Sequence, residues 1–160
     1  MEEFFTGCDG WLTGIEALDT QHVELAACIS RVAGVCRGSK NMQTGGSVSR
    51  NRDLSEVVDH LYRKTKEHFE YEEAVMRETE YPDFAAHRRE HIMLLAELKL
   101  AIDREPGSVG IKVDSEMVRE LKAWFMAHIK QSDCRFSAYI SSRGMASKLN
   151  VKVPDKTLDL

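Results

Sequence analysis

Apolar side chains recur along the chain in alternating steps of three and four residues, and four stretches carry this pattern. Such spacing gives each stretch one apolar stripe, as in the helices of a bundle. The predicted helices run from Asp19 to about Cys36, from Asp53 to about Thr79, from about Pro82 to Arg104, and from Asp114 or Ser115 to about Ser141. No stretch shows the two-residue alternation of a strand. The pattern predicts an all-α, up-and-down antiparallel four-helix bundle.

The segments around these helices lack the stripe. Residues 1–17 are predicted to form an irregular apolar arm across the bundle, and residues 142–160 a tail. The stretch Arg37–Arg52 is rich in Gly, Ser and Asn and holds four basic residues without an acid, which is typical of a long surface loop. Pro82 lies between the second and third predicted helices, and it predicts a reversal of the chain there. One domain is expected, with its bundle at about residues 18–141.

Polar side chains occupy several positions of the predicted inner stripes. His68 and Glu72 are four residues apart, as are His87 and His91, so each pair lies one turn apart on a single helix face. The chain reversal lays these two pairs against each other. The inward polar residues are His22, His68, Glu72, His87, His91 and His128. His60 is turned by about 80° from the face of His68, and we expect it at the rim or surface.

A single inward histidine is more often a hydrogen-bonded core residue than a metal ligand. Here every predicted helix contributes an inward histidine, and Glu72 joins them where a buried carboxylate is costly without a charged partner. A metal ion satisfies all of these groups together, so the pattern favours a metal site. Asp133 is different, because five residues after His128 corresponds to about 140° around an α-helix. Spacing alone predicts that Asp133 is exposed.

The composition and the charge of the chain limit the kinds of partner that it can have. The formal net charge is -4 with acidic and basic residues interspersed, which argues against nucleic acid as a partner. The start MEEFF is acidic where a signal peptide is basic, and no run approaches the roughly 18 apolar residues of a membrane span. We therefore expect a cytoplasmic protein without a membrane span. The four scattered cysteines are predicted to be reduced, small buried residues, with thiolate metal ligation as the alternative.

The polar residues and their spacing resemble the ligand signature of the hemerythrins, and the bacterial branch fits best. The segments that carry this resemblance are GIEALDTQH, HFEYEEAVM, YPDFAAHRREH and WFMAHIKQSD, within about Trp11 to Ile140. The resemblance implies two non-haem iron ions with an oxo or hydroxo bridge, and reversible dioxygen binding rather than enzymatic activity. The implied metal ligands are His22, His68, Glu72, His87, His91, His128 and Asp133.

Counting ligands supports two metal ions. Five histidines and two carboxylates are too many for one octahedral ion and suit two ions with bridging carboxylates. If Glu72, Asp133 and a solvent-derived oxygen bridge both ions, the histidines divide as three and two, and one ion keeps an open position. The resemblance assigns His87, His91 and His128 to the closed ion, and His22 and His68 to the open one.

The chain also departs from the family pattern. Three residues before the last histidine, where the family commonly has a leucine lining the gas pocket, this chain has Phe125. We expect Phe125 to wall the dioxygen pocket, and the alternative is that it only fills core volume. His22 and His68 are 46 residues apart, so Arg37–Arg52 resembles an insertion.

Several functions suit such a site. A carrier, store or delivery protein needs only the site, and the absence of a fused domain favours this class. The alternatives are an oxygen or redox sensor that acts through a partner protein, and a di-iron oxidase or peroxidase. Histidine-rich ligation disfavours the oxidase, because few carboxylates remain to support strongly oxidising iron. A structural zinc site is a further alternative, although such sites are usually closed and four-coordinate. The sequence does not identify a protein that would accept the dioxygen.

Overall fold

The computed structural model describes residues 13–38, 47–102 and 115–145, and these are almost entirely helical. The helices are α1 (Glu16–Gly38), α2 (Ser47–Glu78), α3 (Phe84–Ile102), α4 (Ser115–His128) and α5 (Cys134–Ser142). A π-helical turn, Ile129–Asp133, joins α4 to α5, so these two helices form one rod. The predicted all-α four-helix bundle is confirmed. Within the described ranges, no helix has the length and apolar character needed to cross a membrane.

Helix α1 begins at Glu16, three residues before the predicted start at Asp19. Asp19 therefore lies inside the first turn, where its carboxylate accepts hydrogen bonds from the residues before the helix. The donors are the backbone N–H of Thr13 at 2.6 Å, the hydroxyl of Thr13 at 2.8 Å and the backbone N–H of Gly14 at 3.2 Å. The Ser137 hydroxyl also donates to the carbonyl oxygen of Thr13. The hydrogen bond of Ser137 fixes the N-terminal segment against α5, and the bonds of Asp19 fix it to the start of α1.

Helix α2 begins at Ser47 and not at Asp53, so it includes the last six residues of the predicted loop Arg37–Arg52, and α1 includes the first two. The remaining residues of that loop, 39–46, lie outside the described residues, as do residues 1–12 of the predicted arm and the tail from residue 146.

The reversal between α2 and α3 depends on a left-handed residue. Glu80 has a φ of +53°, and the backbone N–H of Tyr81 donates to the carbonyl oxygen of Met76 at 2.9 Å. This six-residue hydrogen bond closes a helix C-terminus, and Pro82 follows it at the position where proline is common. Helix α3 then starts at Phe84, two residues after the predicted start. The turn occurs where the proline predicted it, but the residue whose backbone reverses the chain is Glu80.

Two apolar clusters fill the bundle, one at each end. The large cluster includes Leu25, Ile29, Val32, Val58, Leu61, Leu98, Val118 and Phe125. The small cluster includes Ile15, Leu18, Tyr71, Val75, Met76, Tyr81, Phe136 and Ile140. In α1, His22 lies between Leu18 of the small cluster and Leu25 of the large one. The predicted inward polar residues thus form a layer between two apolar clusters, which shield it from solvent.

No disulfide joins the three cysteines of the described residues. Cys28 and Cys36 are buried on α1 and Cys134 is half-buried, whereas Cys8 lies outside the described residues. Burial raises the pKa of the Cys28 thiol.

Candidate metal centre

All seven predicted ligands lie in the polar layer, and none is more than 5% exposed. They are His22 on α1, His68 and Glu72 on α2, His87 and His91 on α3, His128 on α4, and Asp133 at the end of the π-helical turn. The structure therefore brings together side chains from every helix of the bundle. His60 is half-buried on α2 and is not part of this group.

The π-helical turn explains the position of Asp133. The backbone N–H of Cys134 donates to the carbonyl oxygen of Ile129, five residues earlier, instead of the usual four. The wider turn accommodates one additional residue, so Asp133 returns to the side of the helix that carries His128. Its Oδ1 atom lies 3.1 Å from Nε2 of His128, and the side chain is fully buried. The expectation of an exposed Asp133, based on spacing alone, is wrong.

Three histidines converge through their Nε2 atoms. Nε2 of His128 lies 3.2 Å from Nε2 of His87 and 3.1 Å from Nε2 of His91. Nitrogen ligands about 2.1 Å from one ion and at right angles to each other would be about 3.0 Å apart. Glu72 lies against the same nitrogens, with Oε2 at 3.3 Å from His91 and 3.5 Å from His87. These residues, with Asp133, form the three-histidine group.

A second set of donors lies beside the first. Nε2 of His22 is 3.2 Å from Oδ2 of Asp133, and the rings of His22 and His68 are 4.8 Å apart. The ligand atoms of His22, His68 and Asp133 all lie within 4.8 Å of one another, and we call these residues the two-histidine group. Asp133 belongs to both groups, because Oδ1 faces the three-histidine group and Oδ2 faces His22.

Several buried polar atoms of this layer have no hydrogen-bond partner among the residues that the structure describes. They are Nδ1 and Nε2 of His22, Nε2 of His68, Nδ1 of His87 and all four carboxylate oxygens of Glu72 and Asp133. Leaving even one buried polar group unpaired typically costs about 1–3 kcal/mol, and more for a charged group. The short contacts lack hydrogen-bond geometry, but they fit donor atoms that point at a shared cation. The donor set therefore fits two metal ions.

Three further side chains orient the histidines through Nδ1. Nδ1 of His68 lies 2.9 Å from the amide oxygen of Gln21. Nδ1 of His91 lies 3.1 Å from Oε1 of Glu73, and Nδ1 of His128 lies 3.0 Å from Oε2 of Glu90. When Nδ1–H donates to these oxygens, the lone pair of Nε2 points into the centre.

Sequence reasoning missed these three partners. Their histidines lie on other helices, between 18 and 47 residues away, so no local spacing identifies the pairs. The available signal is weak: each partner is a polar residue directly beside a predicted ligand in the sequence, namely Gln21 beside His22, Glu73 beside Glu72, and Glu90 beside His91.

Protons balance the charge of the layer when no metal ion is bound. Burial and the nearby charge of His22 lower the pKa of His68 to about 3, so its imidazole is neutral. Burial alone lowers the pKa of His87, but the close contacts with the carboxylates of Asp133 and Glu72 outweigh it and raise the pKa to about 9. Burial and Asp133 raise the pKa of Glu72, but the close contacts with His87 and His91 lower it to about 2. Burial also raises the pKa of Asp133, but the charge of His128 holds it well below its ordinary value, so both carboxylates are ionised and require cations.

Phe125 stands at the two-histidine group. It is buried, and its ring meets the ring of His22 edge-on at 6.3 Å. It also lines an apolar cavity of about 10 Å³, together with side chains of the large apolar cluster such as Leu25, Ile29 and Leu61. A cavity this small lies at the lower limit for one water molecule.

The chain is similar to known proteins in sequence and in fold. The family model described as the hemerythrin HHE cation binding domain matches residues 13–138. The bacteriohemerythrin of Stenotrophomonas maltophilia is 25% identical over 132 residues, which cover 81% of this chain and 76% of the relative. The myohemerythrin of Riftia pachyptila is 24% identical over 128 residues, which cover 80% and 87%. A crystal structure of a leucine-to-phenylalanine mutant shares the fold, with a TM-score of 0.70, 23% identity, and coverage of 82% and 92%.

Proposed function

Because the chain belongs to the hemerythrin HHE cation-binding family, we propose that it is a non-haem di-iron protein that binds dioxygen reversibly. The observation that supports this most is the division of the buried donors into a three-histidine and a two-histidine group that share Asp133. An ion at the first group has more protein ligands than an ion at the second. An ion at the two-histidine group would therefore be the one that is able to bind an external ligand.

Each donor has a distinct role in this proposal. His87, His91 and His128 would hold one ion, and His22 and His68 would hold the other. Asp133 would serve both ions, because Oδ1 faces the three-histidine group and Oδ2 faces His22. Glu72 presents Oε2 to the three-histidine group, which leaves its buried and unpaired Oε1 available for the second ion. Two iron ions would supply the two electrons that dioxygen takes up on binding.

The surrounding residues keep the site dry. The two apolar clusters cover the layer from both ends, and Phe125 stands beside His22. Exclusion of water and protons favours release of dioxygen over irreversible oxidation. We assign the chain to the oxygen carriers, stores or delivery proteins on this basis, and not to the enzymes.

The donor set also bears on the choice of metal. Structural zinc is usually held by four ligands in a closed tetrahedron, whereas seven buried donors suit two ions of higher coordination. Imidazole and carboxylate donors suit iron, and dioxygen binding with uptake of electrons requires a redox-active metal.

The test is metal analysis followed by spectroscopy. Purified protein from iron-replete cells should hold close to two iron ions per chain. Its reduced form should change its absorption spectrum on exposure to dioxygen and recover it under argon. Asp133→Ala should abolish both properties, whereas the control His60→Ala should retain them. One zinc ion per chain without iron, or a spectrum unaffected by dioxygen, contradicts the proposal.

A further inference from the structure

The two histidine groups differ in how firmly their ligands are held. In the three-histidine group, His91 and His128 each have a carboxylate at Nδ1, from Glu73 and Glu90 respectively. In the two-histidine group, His68 has only the neutral amide of Gln21. Nδ1 of His22 is buried and has no hydrogen-bond partner within the described ranges. A carboxylate at Nδ1 fixes the tautomer and makes the opposite nitrogen a stronger ligand.

Aromatic rings add to this difference. Phe69 stacks on His91, with ring centroids 3.8 Å apart and an interplanar angle of 6°. Trp124 stacks on His128 at 5.3 Å and 19°. The ring of His22, in contrast, meets its aromatic neighbours edge-on, at 71° to His68 and 85° to Phe125. Stacked rings restrict rotation of an imidazole more than edge contacts do, because they cover its whole face.

The two carboxylates are themselves held in place. Glu73 is half-buried, and its Oε2 lies 3.3 Å from the guanidinium of Arg88 and 3.7 Å from that of Arg77. Oε2 of Glu90 accepts a hydrogen bond of 2.6 Å from the Ser132 hydroxyl. The ligands, their Nδ1 partners and the partners' own contacts therefore form a connected set at the three-histidine group. His87 is the exception in this group, since its Nδ1 has no such partner.

We propose that the three-histidine group takes up its metal ion first and holds it more tightly, and that Glu73 and Glu90 are the positioning residues that cause this order. The inference rests on the two-metal function proposed above. The order follows because preorganised ligands lose less conformational freedom on binding, and because the carboxylates of Glu73 and Glu90 make Nε2 of His91 and His128 stronger ligands. The two-histidine group then exchanges its metal ion more readily.

The test is a titration of the metal-free protein with Co²⁺, followed by calorimetry and absorption. The unmodified protein should show two steps, the first at least tenfold tighter than the second. A variant with His22→Ala and His68→Ala should keep the first step and lose the second. Two equivalent steps, or loss of the first step in this variant, would overturn the proposed order. If only one Co²⁺ binds to the unmodified protein, the two-metal function fails as well.

Charge-removing variants test the positioning residues. Glu73→Gln and Glu90→Gln should each weaken the first step by about 10–100-fold and leave the second unchanged. Gln21→Ala should weaken only the second step, and Glu97→Gln, an exposed change on the same helix as Glu90, should alter neither. A general loss of structure would weaken both steps, so the selective effect distinguishes positioning from folding. Unchanged first steps in both Gln variants would overturn the role of Glu73 and Glu90.

Discussion

Phe125→Leu tests the prediction that Phe125 walls a dioxygen pocket and keeps water out of it. Phe125 is 4% exposed, its ring meets the ring of His22 edge-on, and it also lines an apolar cavity of about 10 Å³. A water molecule needs about 10–15 Å³ and polar partners, and this cavity is at the lower limit of size. The shorter leucine side chain leaves space on the side that faces His22, where a water molecule would have a polar neighbour.

The stability cost of this change should be small. Phe→Leu is a modest volume change between apolar side chains, which typically costs about 1 kcal/mol. For a domain of this size, that lowers the melting temperature by roughly 2–4 °C. The variant should therefore fold and keep its iron, so a kinetic effect can be assigned to the pocket.

We expect the oxygenated Phe125→Leu protein to oxidise at least several-fold faster than the unmodified protein. The assay follows the loss of the oxygenated absorption spectrum with time, with iron content measured in parallel. The matched control is Phe136→Leu, the same substitution at a fully buried position of the small apolar cluster. It should lower stability similarly without changing the oxidation rate. Overlapping time courses for Phe125→Leu and the unmodified protein would show that Phe125 only fills core volume.

Three further predictions concern the metal ligands. Glu72→Ala should lose iron, because it removes a buried anionic ligand, whereas His60→Ala should keep it; equal iron content in both variants argues against a ligand role for Glu72. Apparent metal affinity should rise about tenfold per pH unit up to about pH 9, because His87 must release its proton to bind a metal. An affinity that stays constant from pH 6.5 to 9 in a competition titration would rule this out. Deletion of the exposed Gln131 should convert the π-helical turn to α-helix and place Asp133 four residues after His128, on the same face of the helix. The variant should therefore keep its iron content. Loss of iron from a folded variant would contradict this account of the turn.

The helices and most of the inward residues were predictable because they repeat with the period of the helix. His22, His68, Glu72, His87, His91 and His128 all fall on that period, and all are buried. Helix ends were less accurate. Asp19 has the side chain of an N-cap, but it bonds to the segment before α1. Ser47 starts a helix within a stretch whose composition is typical of loops.

Asp133 and the Nδ1 partners show the limit of spacing arguments. A π-helical turn has no distinct residue signature in this chain, so only the family resemblance indicated that Asp133 faces inward. Glu90 meets His128 across 38 residues of sequence, and such a pair depends on how α3 and α4 pack. Helical periodicity shows on which face of its helix a residue lies. To predict these contacts, one must also know how each helix is rotated relative to its neighbour.

Oxygen uptake by the reduced, iron-loaded protein tests the central claim most directly. An oxygen electrode should record one dioxygen taken up per chain, and removal of oxygen by argon should restore the capacity to take up the same amount again. Catalase and superoxide dismutase added to the solution should not change this stoichiometry. Continuous oxygen consumption, or no uptake by protein that carries two iron ions, would contradict reversible dioxygen binding at this centre.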